Sequence, residues 1–296
     1  MRRLDNLDLR LLRVFVALAD SGGFAQAQIM LNLSQSTLST HLAALENRVG
    51  AQLCHRGKKR FRLTEVGKAT YDAAQKLFRD MDEFEHRVRA ASGSLAGRLR
   101  LGVSDGVFMS PLLGVQHVLG RFIQPDSEIF VDLTLGTPAE LETQVADGVC
   151  DIVIGPLSRK APGVCYRDYC NEPHHLYCGS RHPLFSVPDA LIDQARIDEA
   201  RFSVRSYRHF DDLYRVGHPR ASASVIHMEA QLMLILSGAF IGFLPCHFAA
   251  PFEERGELRA LAPQVYNFSS AHLVAYREKP PNMALVQAFL DALLLE

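Results

Sequence analysis

An uninterrupted apolar leader is missing from this chain: Asp5, Asp8, Arg10 and Arg13 break up the N-terminal apolar residues, so no secretory pattern is visible. Paired cysteines are missing too. The six cysteines stand at 54, 150, 165, 170, 178 and 246 with no CxxC and no dense framework, which argues against a disulfide scaffold and for a reducing cytoplasm. One stretch, Met233 to Phe252, has no formal charge, but Gly238, Gly242, Pro245, His247 and Pro251 divide it into a helix, a short strand and a helix, so it reads as soluble core and not as a membrane span. Net charge is scarce as well, at −1 for 296 residues.

That near-neutral total conceals an asymmetry. Residues 1–94 carry 15 Lys+Arg against 10 Asp+Glu, a net of +5, and the remainder 17 against 23, a net of −6. From Arg48 to Arg62 the chain holds Arg48, Arg56, Lys58, Lys59, Arg60 and Arg62, with His55 among them, and no acid. A polyanionic partner for the N-terminal part follows, with a merely solvated face as the alternative. The length supports two or three domains.

The most specific stretch is Phe24 to Leu63. Phe24 to Leu31 is a short amphipathic pattern, and after Asn32-Leu33 a second helix opens at Ser34, an N-cap residue. Its apolar positions Leu38, Leu42, Leu45 and Val49 recur at three and four. This leaves Gln35, Ser36, Ser39 and Thr40, with Thr37 and His41, on the solvated side, where short hydrogen-bonding side chains near a helix N-terminus suit the DNA major groove. Asp8 to Asp20, with Asp8 as N-cap, forms a preceding helix. The segment AQLCHRGKKRFRLT reads as a hairpin wing carrying Arg56, Lys58, Lys59, Arg60 and Arg62, suited to phosphates.

A long helix is expected from Thr64-Glu65 to about Ala91. Val66, Thr70, Ala73, Leu77, Met81, Phe84 and Val88 approximate a heptad seam, which predicts pairing with a second copy. A flexible small-residue linker follows. From Arg98, strands alternate with helices: RLRLGV, EIFVDLTL and CDIVIG, separated by helical 111–123 and 138–147, predict a parallel sheet. Further strands are expected at GVCYRDY, EPHHLYCG, RFSVR, ASASVIHM, AFIGFL, GELRAL and YNFSSAHLVAY, and further helices at 187–195, 209–216, 229–237 and 281–294. Ligands in such sheets gather at strand C-termini, which singles out Ser104-Asp105-Gly106 and Gly136-Thr137; Ser104 and Thr137 equally fit plain helix caps.

Two other functions compete. Cys170, His174, His175, Cys178 and His182 suggest zinc or thiol chemistry, but on a strand His174 and His175 point to opposite faces, so no metal and no catalytic residue is assigned. A transport-type binding module conflicts with the basic winged motif.

DLRLLRVFVALADSGGFAQAQIMLNLSQSTLSTHLAALENRVGAQLCHRG, then RLTEVG, GTPAELETQVADGVCDIVIGP, SRHPL and ILSGAFIGFLP, in that order and nearly end to end, resemble a LysR-type transcriptional regulator. The resemblance implies an α/β chain with a winged helix-turn-helix at 1–63, a linker and dimerisation helix at 64–91, a hinge at 92–97 and a two-lobed effector domain at 98–296, similar to periplasmic binding proteins. One lobe would comprise 98–168 with 266–296, the other 169–265. Gln35, Ser36, Ser39 and Thr40 would face the groove and Arg56 would anchor the wing. Ser104, Asp105, Gly106 and Thr137 would meet an effector from the first lobe, with Ser203, Arg205, His227 and Met228 from the second; Arg205 and Arg208 suggest a carboxylate. The implied partners are double-stranded DNA with a T-N11-A-like palindrome, the effector, further copies as dimer or tetramer, and RNA polymerase, in the cytoplasm with the nucleoid and with no cofactor. Thr40 stands where the family often has Arg, and Cys54 where an aromatic is usual, which weakens a guanine contact and leaves a redox role for Cys54 open.

Overall fold

The computed structural model describes residues 5–55, 61–90, 95–107, 110, 114–125, 127–157, 161–280 and 282–294. They form two compact units, Met1–Val88 and Arg89–Glu296.

In the first unit, α1 (Asn6–Asp20), α2 (Phe24–Leu31) and α3 (Gln35–Val49) pack around Leu11, Phe15, Leu18, Leu38, Leu42 and Leu45, all essentially buried. The cap of α1 is Asp5 and not Asp8: Asp5 accepts from the Leu7 and Asp8 backbones, and Asp8 returns a bond to the Asp5 N–H. Two aspartates three residues apart form this reciprocal box, and the inner one resembles a cap in sequence. Asp8 is buried and paired with Arg48. Gly50 ends α3 at φ 81°, a conformation costly for residues with a Cβ. Buried Glu46 then accepts from the Leu53 N–H at 2.9 Å, which ties the strand entry to α3. Cys54 sits in this core, 1% exposed.

Strands β1 (Cys54–His55) and β2 (Arg62–Leu63) pair antiparallel, as the wing requires. Its tip, with Arg56, Lys58, Lys59 and Arg60, lies outside the described residues. Helix α4 (Glu65–Ala90) starts at Thr64, whose Oγ1 accepts from the Gly67 N–H at 2.9 Å and donates to the Gln52 carbonyl at 2.7 Å. A Cβ on Gly67 would stand 1.9 Å from the Leu53 carbonyl oxygen, so this contact between helix and wing demands glycine. The heptad seam divides. Of its residues Leu77 packs on the unit's own core, beside Tyr71, Ala74 and Phe78 from outside the seam, whereas Val66, Phe84 and Val88 are exposed.

The second unit contains β3 (Gly97–Ser104), α5 (Val115–Phe122), β4 (Ile129–Gly136), α6 (Pro138–Ala146) and β5 (Ile152–Gly155), then the long β6 (Val164–Gly179). It continues with α7 (Gln194–Glu199), β7 (Ser203–Arg205), α8 (His209–Val216), β8 (Ala223–Val225), α9 (Met228–Leu236), β9 (Ile241–Pro245), α10 (Cys246–Glu254), β10 (Leu258–Ala260), β11 (Asn267–Arg277) and α11 (Met283–Leu294). The expected parallel pairing holds for β4-β3-β5. The sheet as a whole is mixed, because β11 pairs antiparallel with β5 and β6, and β9 and β10 pair antiparallel with β6. The two strands read at GVCYRDY and EPHHLYCG are one, and the helix expected at 187–195 is a short 3-10 turn followed by α7.

Four sets of buried side chains fill this unit, two of them larger than the others. One surrounds Leu99, Leu101, Ile152, Ile154, Phe289 and Leu290, and the other Leu176, Cys178, Phe202, Val204, Ile241 and Phe243. Strands β6 and β11 contribute to both. Their register slips once, where Asp168 faces Leu273 and Cys170 faces His272, leaving Tyr169 as an extra residue in the ladder. Such a bulge bends and twists a strand pair locally.

Candidate functional sites

In the first unit, Ser34 caps α3 by accepting from the Thr37 N–H at 3.2 Å, and its hydroxyl also lies 2.8 Å from those of Ser36 and Thr37. Thr40 Oγ1 donates to the Ser36 carbonyl at 2.9 Å. Gln35, Ser36, Ser39 and Thr40 are exposed along one side, with Leu38 and Leu42 buried on the other. Thr37 is half-buried. His41 departs from the expected solvated placement: it is half-buried with Nε2 enclosed, because its helical position turns it towards the flank of the core face.

In the second unit, Ser104 ends β3 in register with Gly136, so Ser104 and Thr137 share one sheet edge. Ser104 is 4% exposed, and its Oγ has no hydrogen-bond partner among the described residues. Thr137 is committed to a capping box with Glu140: its N–H and Oγ1 donate to Glu140 Oε2 at 2.9 and 2.8 Å. Those bonds hold the Glu140 carboxyl below the usual range.

Asp105 reaches across to α9. Its Oδ2 accepts from the Met228 N–H at 2.6 Å and lies 3.4 Å from His227 Nδ1. Burial raises its carboxyl above the usual range, although the Met228 bond opposes this. Beside it, His247 at the start of α10 has Nε2 3.3 Å from the Gly106 carbonyl. The turn 104–106 is therefore clasped to α9 and α10, and the N–H of Met228 is taken by Asp105.

Two expected contacts are corrected. Ser203 is completely buried and donates to the Ile241 carbonyl at 3.2 Å, because it sits inside β7 against β9. Arg205, 2% exposed, donates to Asp212 through Nε at 3.3 Å and Nη2 at 3.0 Å, and its Nη1 lies 3.2 Å from His174 Nε2. Both side chains are engaged inside the unit. Arg208 donates to Ser270 Oγ at 3.1 Å and stands over the Phe268 ring, as Arg215 also does, with no carboxylate among the described residues within ion-pair distance of Arg208. Burial and the neighbouring Arg205 push its pKa down.

Strand alternation puts Glu172 and His174 on the buried face of β6 and Ser270 and His272 on that of β11. His174 stands out in the sequence beside Cys170, His175, Cys178 and His182, whereas Glu172, His247 and His272, which the fold brings to it, do not. The i, i+2 spacing of Glu172 with His174 was readable, but its meeting with the other two depends on the register of β6 with β11 and the placement of α10. Cys170, Cys178 and His182 do not join: burial lifts the Cys170 thiol to about 11 and Cys178 to about 12, and His182 accepts from the Leu184 N–H. No described helix is long and apolar enough to cross a membrane.

Comparison with known proteins gives the family. Residues 9–68 match the bacterial regulatory helix-turn-helix protein, lysR family, and residues 92–295 match the LysR substrate binding domain. The chain is 32% identical over 292 residues to the HTH-type transcriptional activator BauR of Pseudomonas aeruginosa, covering 98% of this chain and 95% of that one. It is 33% identical over 183 residues to an SDS degradation transcriptional activation protein of a Pseudomonas species, covering 60% and 58%. In fold it resembles the crystal structure of CbnR, a LysR family transcriptional regulator (TM-score 0.68, 20% identity, 96% and 97% covered). The CbnR complex with target DNA is similar (TM-score 0.66, 21% identity, 96% and 98% covered). With an N-terminal DNA-binding unit and a C-terminal effector-binding unit, this chain belongs to the LysR-type transcriptional regulators.

Proposed function

We propose that α3 reads base edges through Gln35, Ser36, Ser39 and Thr40, that Thr37 and His41 flank them, and that the wing residues Arg56, Lys58, Lys59 and Arg60 hold phosphates. The observation that carries this is the exposed hydroxyl and amide face at the N-terminal half of α3, opposite Leu38 and Leu42. Hydroxyls and amides discriminate bases, whereas flexible cations supply affinity that weakens with salt. A fragment bearing a T-N11-A-like palindrome should be retarded in a gel. Lys58→Ala or Arg60→Ala should weaken binding to every sequence and flatten the salt dependence by about one unit per contact. Undiminished salt dependence in both variants would sink the wing assignment.

We further infer an effector domain at 98–296 that bends at the Tyr169 bulge, with one lobe at 98–168 and 266–296 and the other at 169–265, behind a DNA-binding domain at 1–63, a helix at 64–91 and a hinge at 92–97. The effector carries a carboxylate that Arg208 receives, with Ser104 and Thr137 at the same cleft. The Asp105 clasp on α9 supports this reading, since it is a contact that a ligand can shift, biasing an equilibrium of the domain without chemistry. Exposed Phe84 and Val88 on α4 support a dimer, which paired half-sites require, and a tetramer builds on it. Contact with RNA polymerase and residence with the nucleoid in the cytoplasm complete the reading. A binding protein of this kind needs no catalytic residue and no cofactor.

A further inference from the structure

Strand β6 carries a buried group that neither DNA reading nor the Arg208 anion site uses. Glu172 is 4% exposed, and no N–H or O–H donor among the described residues lies within hydrogen-bond distance of its carboxylate. Its neighbours are three imidazoles: His247 Nδ1 at 3.7 Å, His272 Nε2 at 3.8 Å and His174 Nε2 at 3.5 Å.

The protons of these rings are assigned by what faces their other nitrogens. A neutral imidazole has one N–H and one lone pair, and a backbone carbonyl only accepts. His272 Nδ1 lies 3.1 Å from the Ser270 carbonyl, so its proton is on Nδ1 and its Nε2 lone pair faces Glu172. His247 Nε2 lies 3.3 Å from the Gly106 carbonyl, so its Nδ1 lone pair faces Glu172. His174 Nδ1 donates to the Glu172 carbonyl at 3.1 Å, and its Nε2 receives Arg205. Two open lone pairs and one carboxylate therefore face one another with no hydrogen between them.

Acceptors set side by side with no donor between them repel, which is costly where burial leaves little water to screen them. Either a proton on the carboxyl or a bound cation with several N–H groups relieves them. The other titratable groups around Glu172 are Asp105 from the β3 turn, Arg205 and Arg208 beyond β7, and the thiols of Cys170 on β6 and Cys246 at the start of α10. Burial outweighs the two arginines and pushes the Glu172 carboxyl up to about 7, while burial brings His272 down to about 4 and lowers His174 and His247. The imidazoles are thus neutral acceptors at neutral pH.

We propose that the effector carries a protonated primary amine seated on Glu172, His247 and His272, so that with a carboxylate on Arg208 it is a small amino acid. The proposal rests on the reading that this cleft binds the effector. Three N–H groups of an ammonium match three acceptors at about 2.8 Å. A metal shell needs ligands at about 2.0–2.2 Å, and no three His, Cys, Asp or Glu side chains among the described residues are placed to share one ion. Ammonium binding requires the ionised carboxylate, so below neutrality Glu172 gives its proton to solvent as the ligand enters.

The test uses the full chain, by thermal shift and calorimetry. The probes are the twenty standard amino acids, unbranched ω-amino acids, the N-acetylated form of each, the matching acids without the amine, and zinc chloride. An amino acid should bind, and its N-acetylated and amine-free forms should bind roughly ten- to a hundredfold more weakly. Glu172→Gln should lose affinity for the amino acid by a similar factor and none for the amine-free acid. Wild-type binding should release about one proton at pH 6 and almost none above pH 8, which needs no variant to fold. An amine-free acid binding as tightly as its amino counterpart, or zinc alone giving the shift, overturns the amine seat and leaves the effector domain standing. No binding by any probe overturns the amine seat, and silence towards sugars and phosphorylated metabolites as well would remove the effector reading.

Discussion

The exposed polar face of α3 and the buried polar cluster of the second unit use polar residues in opposite ways. On α3 the hydroxyls are exposed and held by local bonds, Ser34 to Thr37 and Thr40 to Ser36, so the helix is ready for a partner and stable without one. In the second unit the groups are ionisable, buried and joined between different elements, Arg205 of β7 to Asp212 of α8, Asp105 to Met228 across 123 positions, Glu172 with His247 and His272. Removing a group from the first should change what is recognised; removing one from the second should change whether the unit holds together or what it binds.

The largest break should come from Arg205→Ala. Leaving Asp212 charged and alone in the interior should cost about 3–5 kcal/mol, read by urea unfolding of the effector unit. The double change Arg205→Met with Asp212→Leu should recover most of it, and a single change costing under about 1 kcal/mol would mean the pair is solvated.

Next in size is Gly67→Ala. The added Cβ would meet the Leu53 carbonyl at 1.9 Å, so helix and wing must part, at about 3 kcal/mol, with loss of DNA binding. Near-native melting would show that α4 can shift without cost. Thr137→Ala removes one capping box and should cost about 1 kcal/mol; if Thr137 also meets the effector, ligand affinity falls in the same variant.

The smallest effect is a pH signature. Glu172 has its folded value raised from 4.5 to about 7, so the stability it contributes is full below about 4.5 and lost as pH rises through 7. His272 runs the other way: lowered from 6.5 to about 4, its contribution is full above about 6.5 and lost as pH falls through 4. The melting temperature of wild type minus that of Glu172→Gln should therefore be larger at pH 5.5 than at pH 8. An equal difference at both would place Glu172 in water.

These two regions also differ in how far they can be read from sequence. The bounds of α2 and α3 follow from local signals, Gly23, Ser34 and Gly50, each of which acts within one turn of the helix it limits. Asp5 was passed over for Asp8 because both satisfy the same rule. The break expected between Tyr169 and Glu172 does not occur, since β6 carries Cys170 and Asn171 within its ladder opposite His272 and Ala271. The cleft was scarcely legible. Ser104 and Thr137 stood out by their strand ends, but Arg205 looked like a ligand until Asp212 was seen beside it, and Glu172, His247 and His272 meet only through antiparallel register and the start of α10.

The assignment of base reading to α3 is tested most directly by comparing Ser39→Ala and Gln35→Ala with wild type on the palindromic fragment and on random DNA at one salt concentration. The predicted result is a fall in the ratio of specific to random affinity, by roughly fivefold or more for each, with random binding nearly unchanged. Equal losses on both DNAs would contradict it.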